Sequence, residues 1–303
     1  MVIKSLDQIL EKALKNKPKK LVVAAAEELH VLEAIKIATD KNIIFPILIG
    51  NIEKIRAIAT NIKLDLNMCE LVEAINPEEA SRQAVYLIKN NKAQILMKGM
   101  VSSSTLLKAV VDHRNGITKG TLLSHIAICQ VKSYHKLIAI TDAAMNIYPD
   151  LNQKIQIINN AVNLLRGLGY QKPKVAVVCP IEIENPKIGS TVDASKLKIL
   201  NIKGEIKNCL IDGPLALDNI ISKDAASIKG IIGEVAGDAD IILTPDLDSG
   251  NILYKSIIFL AKGIVAAIIT GASAPIVLTS RADAKESKLY SIALAACTTI
   301  YEN

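Results

Sequence analysis

In the segment TSRADAKES, Ser280 and Arg281 follow the apolar run PIVLT and stand at the start of a stretch with helical spacing. Arg281 is one of five arginines in a chain with 36 Lys and Arg, so lysine serves general solubility and an arginine at this place stands out. Its guanidinium presents a planar donor fork that matches phosphate oxygens, and the free N–H groups and macrodipole of a helix start reinforce it. Ser280 can also cap that helix with Asp283 in a capping-box-like role, and the two functions can coexist. Polar residues end the other apolar runs in the same way: Lys98 and Gly99 after QILM, Asp142 after KLIAIT, Asp246 after IILTP. In open α/β sheets ligands collect beyond the carboxyl ends of strands, which makes these residues the first candidates for a site. A single loop lysine or aspartate is commonly a solvated turn or a cap; the set carries the weight. His125, within LLSHIAICQ, reads either as a substrate contact or as a hydrogen-bonded strand histidine.

Other signatures are missing. The chain has no G-x-x-x-x-G-K-[ST], no G-x-S-x-G and no H-E-x-x-H, and the lone G-L-G at 167–169 ends a helix instead of opening one. P-loop kinase, serine hydrolase and zinc hydrolase chemistries lose support accordingly. The five cysteines have no C-x-x-C pair and no histidine at ligand spacing, so they read as small buried hydrophobes, with no metal centre expected.

The elements that must position these residues follow from hydrophobic periodicity. KLVVAAA, FPILIG, CELVEAI and QILMKG each precede an amphipathic stretch, the pattern of βα units in a mostly parallel sheet covered by helices. LLSHIAICQV and KLIAITD are separated by too few residues for a helical crossover and predict an antiparallel pair, hence a mixed sheet. DLNQKIQIINNAVNLLRGLGY predicts a long helix ended by Gly167 and Gly169. The alternation then repeats through KVAVVCP, a helix around ASKLKIL, EIKNCLI, a helix initiated by Pro214, ADIILTP, SGNILYKSIIFLAKG, GIVAAIIT and PIVLTS. At 303 residues two α/β domains are expected. The boundary falls near 142, giving a first domain of 1–142 plus 284–303, whose C-terminal helix returns to it, and a second domain of 143–283.

Bulk composition narrows the partners. The net charge of +6 is spread along the chain, Trp is absent and only 3% of residues are aromatic, which argues against nucleic acid. The apolar runs are too short to span a bilayer, and the N-terminus has helical spacing without a signal-peptide core, so a cytoplasmic protein away from membranes is expected.

The strings TDAAMNIYPDL, DGPLALDNIIS, GDADIILTPDLDSGNILYK and VLTSRADAKESKLYSIALA, in this order, resemble the phosphate acetyl/butyryltransferase family, specifically its butyryl branch, over nearly the whole chain. The resemblance implies two α/β domains with a cleft between them in an isocitrate/isopropylmalate dehydrogenase-like fold. It implies acyl-CoA and inorganic phosphate as substrates, coenzyme A as substrate with no permanently bound cofactor, no metal, and a homo-oligomer. It maps the family's active-site pair onto Ser280 and Arg281. Ser249, Gly250 and Asn251, within the third string, join Lys98, Gly99, Lys108 and His125 as substrate-binding candidates. Lys108 stands where acetyl members carry a second basic residue. One departure concerns the base on the CoA thiol: acetyl members carry an aspartate where this chain has Ser287, and Asp142, Asp246, Glu286 or the phosphate itself remain alternatives.

A thiol with an ordinary pKa of about 8.5 needs a proton acceptor, and no cysteine or serine has a recognisable histidine partner, so direct transfer fits better than an acyl-enzyme. Three rivals stand beside this reading. A phosphate acetyltransferase differs only in pocket depth. A dehydrogenase of the same architecture has only Asp246 and Asp248 in its favour. A non-catalytic small-molecule binding module shares the two-lobed outline.

Overall fold

The computed structural model describes residues 2–118, 120–278 and 285–298. Its contacts divide the chain into two compact units: Leu6–Leu123 with Ala266–Asn303, here the first lobe, and Ser124–Val265 with the N-terminal residues up to Ser5, the second lobe. The antiparallel pair therefore belongs to the second lobe, and the crossings lie at 123/124 and 265/266 instead of 142 and 283. The physical reason is its pairing with the second lobe's strands, given below.

The first lobe is built from α1 (Leu6–Lys15), β1 (Lys19–Ala24), α2 (Leu29–Asp40), β2 (Ile44–Gly50), α3 (Ile52–Ile62), a 3-10 turn at Leu66–Met68, β3 (Glu70–Glu73), α4 (Pro77–Lys89), β4 (Ile95–Lys98) and α5 (Ser103–Val110). The four strands are β-branched runs followed by amphipathic helices, and they pair in parallel in the order β3-β2-β1-β4. Helix starts are set by side chains that satisfy orphan N–H groups: Asn51, Asn76 followed by Pro77, and Ser102 each accept from the N3 backbone.

The second lobe follows with β5 (Ser124–Gln130), β6 (Ile138–Thr141), α6 (Leu151–Gly167), β7 (Lys174–Val178), α7 (Gly189–Ile202), β8 (Leu210–Leu215), α8 (Leu217–Ile221), α9 (Lys223–Ile228), β9 (Ile241–Leu243) and α10 (Leu247–Phe259). The sheet order is β5-β6-β9-β7-β8, with only β5 and β6 antiparallel, as their short connection dictates. A full capping box on Asp150 and Gln153 starts the long helix α6. Tyr170 Oη donates to the Ile3 carbonyl at 2.8 Å, which ties the N-terminal residues to this lobe. Pro214 does not begin a helix: it lies in β8, which pairs with β7 across a register shift between Ala176 and Val178, and the helix starts at Leu217. β8 ends the strand order, a place where a residue without an N–H is tolerated.

The chain closes with β10 (Ile264–Thr270), β11 (Ile276–Val277) and α11 (Lys285–Thr298). β11 pairs in parallel with β4 and antiparallel with β10. The last helix packs against α1 and α2, with Ile292 to Cys297 all buried and Tyr290 Oη donating to Asp7 Oδ1 at 2.5 Å.

Candidate functional site

In the second lobe the carboxyl ends of β6 and β9 and the start of α10 form one hydrogen-bonded unit. Thr244 donates its N–H to the Thr141 carbonyl at 2.8 Å and its hydroxyl to the Asp142 carbonyl at 3.0 Å. Gly250, in the first turns of α10, lies so close to this chain segment that a β-carbon there would sit 2.1 Å from the Asp142 carbonyl oxygen. Asn251 Nδ2 reaches the Ala143 carbonyl at 3.1 Å, and the Leu247 N–H bonds the Ile147 carbonyl at 3.0 Å. Asp142, Asp246, Ser249, Gly250 and Asn251 are thus brought together.

The three candidate bases differ in setting. Asp142 is 2% exposed, and its carboxylate is fully engaged by its own loop: Oδ1 accepts from the Ala144 and Met145 N–H groups at 2.9 and 3.0 Å, Oδ2 from Asn146 Nδ2 at 2.5 Å. That is the geometry of a loop anchor. Asp246 is half-buried and caps α10 through Oδ1 alone, accepting from the Ser249 N–H at 2.8 Å and its hydroxyl at 2.7 Å, while Oδ2 accepts nothing from the described residues. The Ser249 hydroxyl is therefore occupied within the cap. Glu286 is exposed in the first turn of α11, one turn before Tyr290, and belongs to the first lobe.

His125 is buried in β5, where its ring meets Tyr254 of α10 edge-on at 5.6 Å between centroids. Its carbonyl accepts the Thr141 hydroxyl at 2.9 Å. This joins it to the Asp142 unit through Thr141 and Tyr254, two residues that sequence reasoning passed over. Thr244 and Asn146 are also absent from the sequence-based candidates, although Thr244 follows β9 directly and Asn146 lies four residues after Asp142.

In the first lobe, Lys98 and Gly99 close β4 against β1. Gly99 is obligatory, because a β-carbon would fall 2.0 Å from the Ala25 carbonyl oxygen. Lys98 is buried, and its ammonium donates to the Gly99 and Val101 carbonyls at 3.2 Å each, so it braces the turn between β4 and α5. Lys108 is exposed on α5 and makes no ion pair with the described residues. Glu27, absent from the sequence-based candidates, lies in the loop after β1 and has a buried Oε2 without a hydrogen-bond partner among the described residues, against Gly50. The run of alanines before it in KLVVAAAEE is the only signal that could have pointed there. Ser280 and Arg281 lie outside the described residues.

The thiols can be judged as nucleophiles. Burial pushes Cys129 up to about 12 and Cys209 and Cys297 to about 11; Cys69 reaches about 11 through burial and the nearby Asp65. Burial also raises Cys179. None supplies thiolate near neutral pH. Among the described residues no group of three or more His, Cys, Asp or Glu could hold a metal ion, and no helix is long and apolar enough to cross a membrane.

Comparison with known proteins gives the family and the fold. The family model described as Phosphate acetyl/butaryl transferase matches residues 5–83 and 73–296. The chain is 43% identical to the phosphate butyryltransferase of Clostridium beijerinckii over 293 residues, 97% of each protein. It is 40% identical to the phosphate acetyltransferase of Thermotoga maritima, over 96% of this chain and 98% of that one. A branched-chain phosphotransacylase from Enterococcus faecalis superposes with a TM-score of 0.82 at 31% identity, covering 94% of this chain and all of that one. The fold is accordingly the isocitrate/isopropylmalate dehydrogenase-like α/β fold of the phosphotransacylases.

Proposed function

Because the chain belongs to the Phosphate acetyl/butaryl transferase family, we propose that it exchanges a butyryl group between coenzyme A and inorganic phosphate. The observation that carries the choice of acyl group is the 43% identity, over 97% of the chain, to a phosphate butyryltransferase. Coenzyme A is a substrate here, no cofactor is held permanently, and the enzyme works as a homo-oligomer in the cytoplasm. Phosphate oxygen attacks the thioester carbonyl and the CoA thiolate leaves; in reverse the thiol must first lose its proton.

Roles are assigned by chemistry. Arg281 holds phosphate through its donor fork. Ser280 hydrogen-bonds the sulfur or the developing oxyanion, a contact whose loss commonly costs about a hundredfold or more in rate. Asp246 is the preferred base, since its Oδ1 already accepts the cap bonds that orient the carboxylate and Oδ2 is left to take a proton. Asp142 holds the loop beside it. Lys98, Gly99, Lys108, His125, Ser249, Gly250 and Asn251 shape or contact the substrate site, Lys98 and Gly99 through the turn they brace. The raised thiol pKa values support direct transfer over an acyl-cysteine.

Acetyl transfer is the second reading, favoured by the 40% identity to a phosphate acetyltransferase. Initial rates with butyryl-CoA and acetyl-CoA competing for one enzyme decide between them: a higher kcat/KM for butyryl-CoA supports the proposal, and a higher value for acetyl-CoA replaces it with the second reading. Intersecting double-reciprocal plots are expected for direct transfer, and parallel ones would mean an acyl-enzyme.

A further inference from the structure

At the amino ends of the first-lobe strands, away from the strand ends that carry Lys98 and Gly99, charged side chains meet over an apolar floor. Lys20, near the start of β1, is in register with Phe45 of β2, and Glu70, the first residue of β3, is in register with Ile47. Paired residues of parallel strands share a face and alternate residues return to it, so Lys20, Phe45, Ile47 and Glu70 all point to one side of the sheet. Helix α4 packs on β1 and β2 and ends at Lys89. Asn91, at φ 54°, then turns the chain back toward β4, with the Lys92 N–H on the Leu87 carbonyl at 2.9 Å. Between the end of α4 and the sheet lies a cavity of about 430 Å³, whose lining includes Lys20, Lys92, Glu70, Gln94, Ile47 and Leu87. That volume falls in the range of about 300–1,000 Å³ typical of small-molecule sites.

We propose that this cavity binds a small ω-amino carboxylate, a molecule with an ammonium at one end of a short methylene chain and a carboxylate at the other. Lys20, Lys92 and Glu70 line one cavity, yet none of them forms an ion pair with the described residues. The topology keeps Lys20 and Glu70 apart: β2 runs between their strands, which places their backbones roughly 10 Å from each other across the sheet. Gln94 gives its Oε1 to the Lys20 N–H at 2.8 Å, and its Nε2 donates to no described residue. The cavity therefore offers cationic and amide donors on one side, a carboxylate acceptor on the other, and Ile47 and Leu87 among its lining. A ligand carboxylate accepts from Lys20, Lys92 and Gln94, its ammonium donates to Glu70, and its methylenes cover the two apolar residues. Charge separation excludes simpler ligands. A compact anion such as inorganic phosphate satisfies the lysines but leaves Glu70 unmatched, and an alkylamine satisfies Glu70 but meets two lysines of its own sign.

Isothermal titration of the whole protein with 4-aminobutyrate, butyrate, butylamine and inorganic phosphate tests the assignment. On the wild type, 4-aminobutyrate should bind at least tenfold more tightly than each of the other three. Equal affinity for butyrate or phosphate, or no binding of 4-aminobutyrate at millimolar concentration, overturns the proposal, and this comparison needs no variant. Glu70→Gln should weaken 4-aminobutyrate at least tenfold and leave butyrate no weaker than before, whereas Lys20→Ala/Lys92→Ala should weaken both. A Glu70→Gln variant that keeps the wild-type preference for 4-aminobutyrate places the ligand elsewhere and overturns this cavity as its site. The inference does not rest on the acyltransferase reading, because binding is read as heat and not as turnover.

Discussion

Gly250→Ala probes the close contact on which the second-lobe cluster depends. A methyl group at this position would lie 2.1 Å from the Asp142 carbonyl oxygen, 2.8 Å from the Thr244 hydroxyl and 3.1 Å from the Ala143 Cα. Favourable contacts need roughly 3.5–4.0 Å, and the nearest atom is main chain, so either α10 or the 142–146 segment must move by about 1 Å. Overpacking of this kind costs about 1–3 kcal/mol, here toward the upper end, against a gain of about 1 kcal/mol in helix propensity. The net loss is therefore about 2 kcal/mol, or a fall of roughly 4 °C in the thermal midpoint for a chain of this size. Gly189, at the start of α7, is the control, because nothing lies within 4 Å of its added β-carbon and alanine there should leave stability equal or slightly higher. Urea unfolding followed by far-UV circular dichroism measures both. Because Asp246, Ser249 and Asn251 ride on the same helix turn, kcat/KM of Gly250→Ala should also fall at least ~10-fold well below its midpoint. Wild-type stability in Gly250→Ala would refute the argument that this contact fixes α10 to the Asp142 loop.

At the opposite, amino ends of the second-lobe strands, burial alone would raise the Asp238 carboxyl, but hydrogen bonds from Lys174, Lys136 and His135 hold it well below the usual carboxylate range. Its stabilisation is full above the unfolded value of about 3.9 and is lost as pH falls below it. Asp238→Asn should therefore cost about 2 kcal/mol at pH 7 in urea titrations, a gap that closes toward pH 2; a gap independent of pH would count against the charge pairing. Arg281→Ala should fold normally and lose at least about a hundredfold in turnover, and near-normal turnover would remove Arg281 from the mechanism. Asp246→Asn, which can still cap α10, should lower the rate with butyryl phosphate plus CoA at least about a hundredfold and leave stability unchanged, whereas Asp142→Asn should lower stability more than it lowers that rate. The reverse pattern would make Asp142 the base.

Much of this architecture can be read from the residues because the determinants are local. Strand–helix alternation, the antiparallel β5–β6 pair and the length of α6 follow from periodicity, from a connection too short to cross over, and from the glycines at its end. Pro214 misleads because a proline after an apolar run signals a helix start just as well as an edge strand, and only the pairing of β8 with β7 distinguishes them. The lobe boundary misleads for a similar reason: β5 and β6 look like a continuation of the preceding units until β6 is seen beside β9. At the candidate site, strand-end residues such as Asp142, Asp246 and Lys98 are legible as polar stops after apolar runs. Their division into anchor, cap and brace is not, since it depends on which backbone groups each side chain meets. Thr141, Thr244 and Tyr254 gain significance only through contacts between segments more than 100 residues apart, such as Thr244 with Asp142.

The central claim is acyl transfer to phosphate, and the most direct measurement is thiol release from butyryl-CoA with and without inorganic phosphate, with butyryl phosphate trapped by hydroxylamine as the hydroxamate. The account predicts release that requires phosphate and matches the trapped acyl phosphate mole for mole. Release that proceeds equally without phosphate, or that yields free butyrate in its place, would contradict it.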